Sequence, residues 1–344
     1  MDHRLEQRGA LHEGPPEWSA YYGIRTSLLA AASLLVVAGA RRSMSDWPLV
    51  GRWGRWLVPA SVVGTCVSLA AAAGVLFGPD RLTTLAEEDG VVEWSSAALA
   101  IASAGLFGYA ALRCSISSRP SDRLVRFILI GLSGVSFLIA MEEISWFQRV
   151  LDYDSPAIVG DRNQSEFNLH NEATDLSENI YYGSVFVLTV LWPSLLGARR
   201  LPRSMRFVET VTPSRFVMYG SITAGAVVYE MWEIVPIQMI FFLSVGLLLS
   251  EPAVDAGRTF SPLAVAMAVA MVVVATVFLL AGANMTRSWD DTEVRELILP
   301  FGLFLYGSDM ALRVSARRRS RYTPSPRWDL GRRNMSMTQV RTRS

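Results

Sequence analysis

The chain has 344 residues, 51% of them hydrophobic and only 18% charged, with a mean hydropathy of +0.29. Soluble domains usually carry about 25% charge, so this composition argues against one and for an all-α polytopic helical bundle in a membrane. The net charge of +1 gives no ground for a nucleic-acid partner, and two cysteines without CxxC spacing carry no redox or zinc motif.

Residues 1–20 are polar and mixed in charge, with no apolar core. They read as a polar N-terminal segment and not as a cleavable signal peptide, so the first apolar run is expected to act as its own insertion signal. A span needs about 20 apolar residues to cross about 30 Å of hydrocarbon. Nine runs meet that need, at 21–40, 56–77, 91–112, 124–146, 179–198, 214–232, 234–250, 261–283 and 294–314. They define a transmembrane domain over 21–314, with a long outer loop at 150–178. All 32 basic residues are arginine, and 24 of them fall on one side when the nine runs are threaded. By the positive-inside rule this puts the N-terminus outside and the C-terminus in the cytoplasm. Of the 31 acids, 24 fall on the outer side.

The fourth run ends in "FLIAMEEISWFQRV", residues 137–150. A carboxylate within a membrane costs roughly 2.5–3.5 kcal/mol on insertion scales, so Glu142 and Glu143 invite a functional reading. If the helix continues, Glu142, Trp146 and Arg149 lie at i, i+4 and i+7, on one stripe. Glu143 then points about 100° away, and the two glutamates are expected to have different roles.

The outer loop that follows contains "SEFNLHNEATDLSENIYYG" over 165–183. His170, flanked by Asn168 and Asn171, follows Glu143 by 27 residues, which is enough chain to fold back over the helix end. One histidine with carboxylates allows a divalent metal site on Glu142, Glu143 and His170, Mg²⁺ or Mn²⁺ more readily than zinc. It equally allows a His–Glu acid–base pair.

The sixth and seventh runs adjoin through "VVYEMWEIVPIQMIFF". Pro236 marks a tight turn or a kink there, and a broken or re-entrant segment is the alternative to two spans. Glu230 and Glu233, at i and i+3, are expected to share a helix face, with Tyr229 and Trp232 beside them. Glu178, Asp290, Asp291 and Glu293 read as hydrated acids at span ends. Only Asp309 lies toward the cytoplasmic end of a span. The basic tail, 315–344, has no apolar period and is expected to be disordered. Its arginines serve as a topology anchor or rest on anionic lipid head groups, at about 1 kcal/mol each. No glycine-rich nucleotide loop occurs.

"EEISWFQR" followed by "NLHN" resembles a signature, EEISWGQR then ETNLHN, of a family of bacterial multi-pass membrane proteins. The likeness covers about 30 residues, 142–171. It implies Glu142, Glu143, Trp146, Gln148, Arg149, Asn168, His170 and Asn171 as motif positions, and a bacterial inner (plasma) membrane location. It implies no reaction. The chain departs from the signature at Phe147, where the pattern has glycine, and that departure bears on whether the backbone kinks there.

Three functions fit this sequence. The first is an enzyme acting on a lipid or lipid-linked substrate at the outer leaflet. In it Glu142, Glu143 and His170 are acid, base or metal ligands, and Arg149 holds an anionic head group. Trp146, Gln148, Asn168, Asn171, Glu230, Trp232 and Glu233 line the substrate site. The second is a proton- or cation-coupled transporter, supported by Asp309 and the interrupted region near Pro236. The third is an accessory or structural subunit that docks a partner on its acidic face.

Overall fold

The computed structural model describes residues 14–44, 54–87, 90–114, 120–151, 174–196, 205–251 and 261–322. Among them there is no β-strand. The helices are α1 (Ala20–Met44), α2 (Gly54–Phe77), α3 (Pro79–Leu85), α4 (Val91–Arg113), α5 (Pro120–Glu143), α6 (Gln148–Leu151) and α7 (Thr174–Phe186). They continue with α8 (Trp192–Leu196), α9 (Arg206–Val211), α10 (Arg215–Ser221), α11 (Val235–Ser250), α12 (Pro262–Ala281) and α13 (Asp290–Tyr322).

Six of these, α1, α2, α4, α5, α12 and α13, are long and apolar enough to cross a membrane. They correspond to six of the nine expected runs. The run at 179–198 is helical from α7 into α8 through a π-helical turn, Val187–Leu191. Pro193 explains that turn, because it has no N–H to donate to the carbonyl of Thr189 and the ladder shifts register ahead of it. The run at 234–250 becomes α11, a helix of 16 residues that begins with Pro236 in its first turn. Proline is preorganised there and loses no hydrogen bond.

The run at 214–232 is not one helix. It consists of α10, a 3₁₀ segment Ile222–Ala226, and irregular backbone from 227 to 234. Residues 213–229 are all buried, so the protein, and not lipid, must satisfy the broken backbone. The last helix does so with two clamps of the same design. At one end Asp309 accepts from the Ser214 N–H at 2.9 Å, and Arg313 donates to the Thr212 carbonyl at 2.8 Å. At the other end Asp291 accepts from the Tyr229 N–H at 2.8 Å, and Arg295 donates to the Val227 carbonyl at 3.0 Å. Each clamp is thus an aspartate with an arginine four residues on, gripping an N–H and the carbonyl two residues before it.

Asp291 and Asp309 are 18 positions apart. That is about five helical turns and about 27 Å of rise, so both clamps lie on one face of α13. Between them the backbones touch closely. A Cβ on Gly220 would come within 2.0 Å of Leu305, and one on Gly302 within 2.4 Å of the Ser221 hydroxyl. Small residues at such a crossing let two membrane-embedded segments approach.

Around this centre, α4 packs between α5 and α13, α1 lies on α11, and α2 covers α10 and α12. The largest apolar cluster joins α1, α2, α7, α11, α12, the broken segment and the first half of α13.

Candidate functional site

The first helices of the site meet where α4 and α13 begin and α5 ends. Ala97, Ala100, Ala140, Met141 and Ile144 form a small buried cluster there, and its alanines allow α4 and α5 to pack closely. Above it α5 stops at Glu143. Ser145, Trp146 and Phe147 then take φ values of 45°, 55° and 62°. Three successive non-glycine residues in the left-handed region are costly, at about 1–2 kcal/mol each.

This turn corrects the helical stripe expected for Glu142, Trp146 and Arg149. The helix does not reach Trp146. The turn instead folds the indole back, and its N–H donates to Glu142 at 2.7 Å. Glu142 thus has a partner within its own segment, and Gln148 is buried at 8% exposure. Of Arg149 only the helical backbone is described. Asn168, His170 and Asn171 lie outside the described residues, as does the geometry that a His–Glu pair or a shared metal would need.

Glu143 faces a different set of groups. Its electrostatic neighbours are Glu296 and Glu293 of α13 and Glu93 of α4, and the Ser96 hydroxyl lies within hydrogen-bonding reach. Ser96 also donates to the Glu296 carbonyl at 2.9 Å. That carbonyl is available because Pro300, four residues on, cannot donate to it. A proline in α13 thereby opens an acceptor that a serine of α4 fills, and one hydroxyl proton serves either this carbonyl or Glu143.

From α7, the Tyr182 hydroxyl lies 2.8 Å from a Glu296 carboxylate oxygen and 3.2 Å from one of Glu178, and its single proton serves one of them at a time. The Tyr181 hydroxyl is buried, has no hydrogen-bond partner among the described residues, and is influenced by Glu143 and Glu296. Arg295 lies 4.9 Å from the centre of the Tyr182 ring, a cation–π contact. Beside it Tyr182, Phe186, Thr189, Val228, Arg295 and Leu299 border a narrow cleft, whose Thr189 hydroxyl is turned back onto Val185 O at 2.7 Å.

Several expected site residues go elsewhere. Trp232 is 3% exposed and packs edge-on against Phe241 and Phe242, at 5.6 and 6.0 Å between ring centres. It packs in the apolar core. Glu230 and Glu233 lie on irregular backbone, so the helix face they were expected to share does not form. Ser288 donates to the Glu230 carboxylate at 2.9 Å, and the Glu17 N–H donates to that of Glu233 at 3.0 Å. The Glu233 carbonyl accepts from Arg25 at 3.1 Å. These two acids tie the N-terminal segment down.

Asp290 and Asp291 are not hydrated, because both are 0% exposed. Asp290 accepts from Thr83 at 2.5 Å and from Arg287 at 2.9 Å. Glu93, Glu178, Glu293, Glu296, Ser96, Tyr181 and Tyr182 were not among the expected site residues. The four acids were visible as span-end carboxylates on one side, but the gathering of Glu93, Glu293 and Glu296 at Glu143, with Glu178 reached through Tyr182, has no local signature.

Among the described residues no three His, Cys, Asp or Glu side chains come close enough together to hold a metal ion. No family model matches the chain, and neither the curated proteins nor the solved structures contain a match. The described residues form an all-helical structure with six helices long and apolar enough to cross a membrane.

Proposed function

We propose that this membrane protein is an enzyme acting on a lipid or lipid-linked substrate at the interface where the glutamates gather. The arginine distribution would make that the outer face, and the resemblance over 142–171 would make the membrane a bacterial inner one. One observation carries the reading. Glutamates of α4 and α13 surround Glu143 of α5 beside the Tyr181 hydroxyl, and Tyr182 and Glu178 of α7 join the group through Glu296. Carboxyl and phenol groups held together at a membrane surface are the equipment of general acid–base chemistry.

In this reading Glu143 transfers the proton, and Tyr181 donates to the polar end of the substrate. Glu142 holds the turn through Trp146. His170 and Arg149, with Asn168 and Asn171, are assigned to the same reaction from the sequence alone, and a divalent Mg²⁺ or Mn²⁺ would suit the carboxylates. The test compares the lipids of a deletion strain complemented with wild type, Glu143→Gln or Glu142→Gln, each checked for accumulation in the membrane. Glu143→Gln should reproduce the deletion's lipid change in full. A Glu143→Gln protein that restores the wild-type lipid profile would refute the reading.

Proton- or cation-coupled transport is favoured by a different observation, the broken segment held between two carboxylates. Purified protein in vesicles enclosing a pH-sensitive dye distinguishes the two. Transport requires a flux that Glu143→Gln abolishes, and the enzyme reading requires none.

A further inference from the structure

The two clamps share a design and differ in tightness. At Asp309 both oxygens are engaged. Oδ1 accepts from Arg313 Nε at 2.8 Å, and Oδ2 receives Arg313 Nη2 at 2.7 Å together with the Ser214 N–H. At Asp291 the arginine is farther away, with Nη2 3.5 Å from Oδ2, and Oδ1 is buried with no hydrogen-bond partner among the described residues. Arg295 spends its donors on the Val227 carbonyl, through Nε and Nη2, while Nη1 lies against the Met231 sulfur. Only this clamp touches the glutamate site, because the ring over Arg295 belongs to Tyr182, whose hydroxyl is held by Glu296 and Glu178.

We infer that the Asp291–Arg295 clamp is a latch through which the glutamate site governs the irregular backbone 227–234, while the Asp309–Arg313 clamp is a fixed pivot. This rests on the glutamate site being where the substrate binds. A ligand that takes over Glu296 or Glu178 withdraws their hold on the Tyr182 hydroxyl. The ring then leaves the guanidinium, and Arg295 turns onto the unused oxygen of Asp291. The Val227 carbonyl is released, and the outer end of the broken segment moves against a stationary α10. The charged and polar groups around Arg295 are Asp291 of α13, Tyr182 of α7, whose hydroxyl reaches Glu296 and Glu178, and Thr189 and Ser221 along the cleft.

Hydrogen exchange read by mass spectrometry on the full-length protein in lipid nanodiscs tests the latch without a substrate. Tyr182→Leu removes the ring and should speed exchange across 226–234 roughly five- to tenfold, the factor a lost cation–π contact commands. Exchange across 212–218 should stay unchanged. Glu296→Gln should produce a smaller acceleration in the same stretch, and none when made on a Tyr182→Phe background, where the hydroxyl link is already gone. Equal acceleration at both ends, or none in either variant, overturns the inference. So does a Glu296→Gln effect that survives on the Tyr182→Phe background. These readouts are independent of lipid turnover. A failed latch leaves the proposed reaction standing, and a fully active Glu143→Gln enzyme removes the reaction without altering the exchange result.

Discussion

At the scale of single residues, adjacent glutamates have been given separate work by one turn of backbone. The left-handed turn at 145–147 binds Glu142 to Trp146 and leaves Glu143 to face Ser96 and the other glutamates. Phe147, at φ 62°, occupies a position that glycine takes without strain, and its side chain is 37% exposed. Phe147→Gly is therefore expected to stabilise the protein, by up to about 1 kcal/mol after the entropy that glycine loses on folding. Thermal unfolding in detergent would measure this, and a lowered midpoint would contradict the strain argument. Ser96→Ala should cost about 1–3 kcal/mol, because the Glu296 carbonyl freed by Pro300 is then left buried without a donor. The same unfolding measurement on that variant checks it. The glutamate pair was legible in the sequence because an uncharged run delivers it. The company it keeps was not, since contacts between α4, α5, α7 and α13 leave no spacing pattern in any one of them.

At the scale of elements, the broken segment depends on α13 for its backbone hydrogen bonds. Asp309→Ala leaves Arg313 without its carboxylate and the Ser214 N–H without an acceptor. Removing one partner of such a pair costs about 3–5 kcal/mol when both are fully buried. Arg313 is 23% exposed, so about 3 kcal/mol is expected, read as loss of folded protein from the membrane fraction. Deleting one residue between the clamps tests their phase. It turns one clamp about 100° relative to the other and should abolish folding, whereas a one-residue deletion after Ser315 should be tolerated. The elements themselves were largely readable, because six apolar runs became six long helices. The break at 227–234 was foreseen only as an alternative, since composition there is as apolar as in a true span. The motif that explains the break, Asp291 with Arg295 and Asp309 with Arg313, is present in the sequence as two acid–arginine pairs in phase. It escapes notice because an acid with an arginine four on usually marks a solvated helix face.

At the scale of the molecule, the two ends of the bundle are held by different contacts. The N-terminal segment is tied over one end by Glu230 and Glu233. Removing residues 1–19 should therefore loosen that end, seen as faster proteolysis near 227–234, while the stretch around Ser214 stays protected. The paired clamps also have a meaning for the surrounding lipid. Their separation of about 27 Å along one helix is a built-in ruler, because both ends of the buried segment are pinned to α13 and that length cannot change to follow the hydrocarbon. Bilayers differ by several ångströms among membranes, and mismatch is resisted by tilt or local thinning. The protein should accordingly be most stable in lipids whose hydrophobic thickness is about 27 Å, and lose stability steadily as the acyl chains of the host bilayer lengthen.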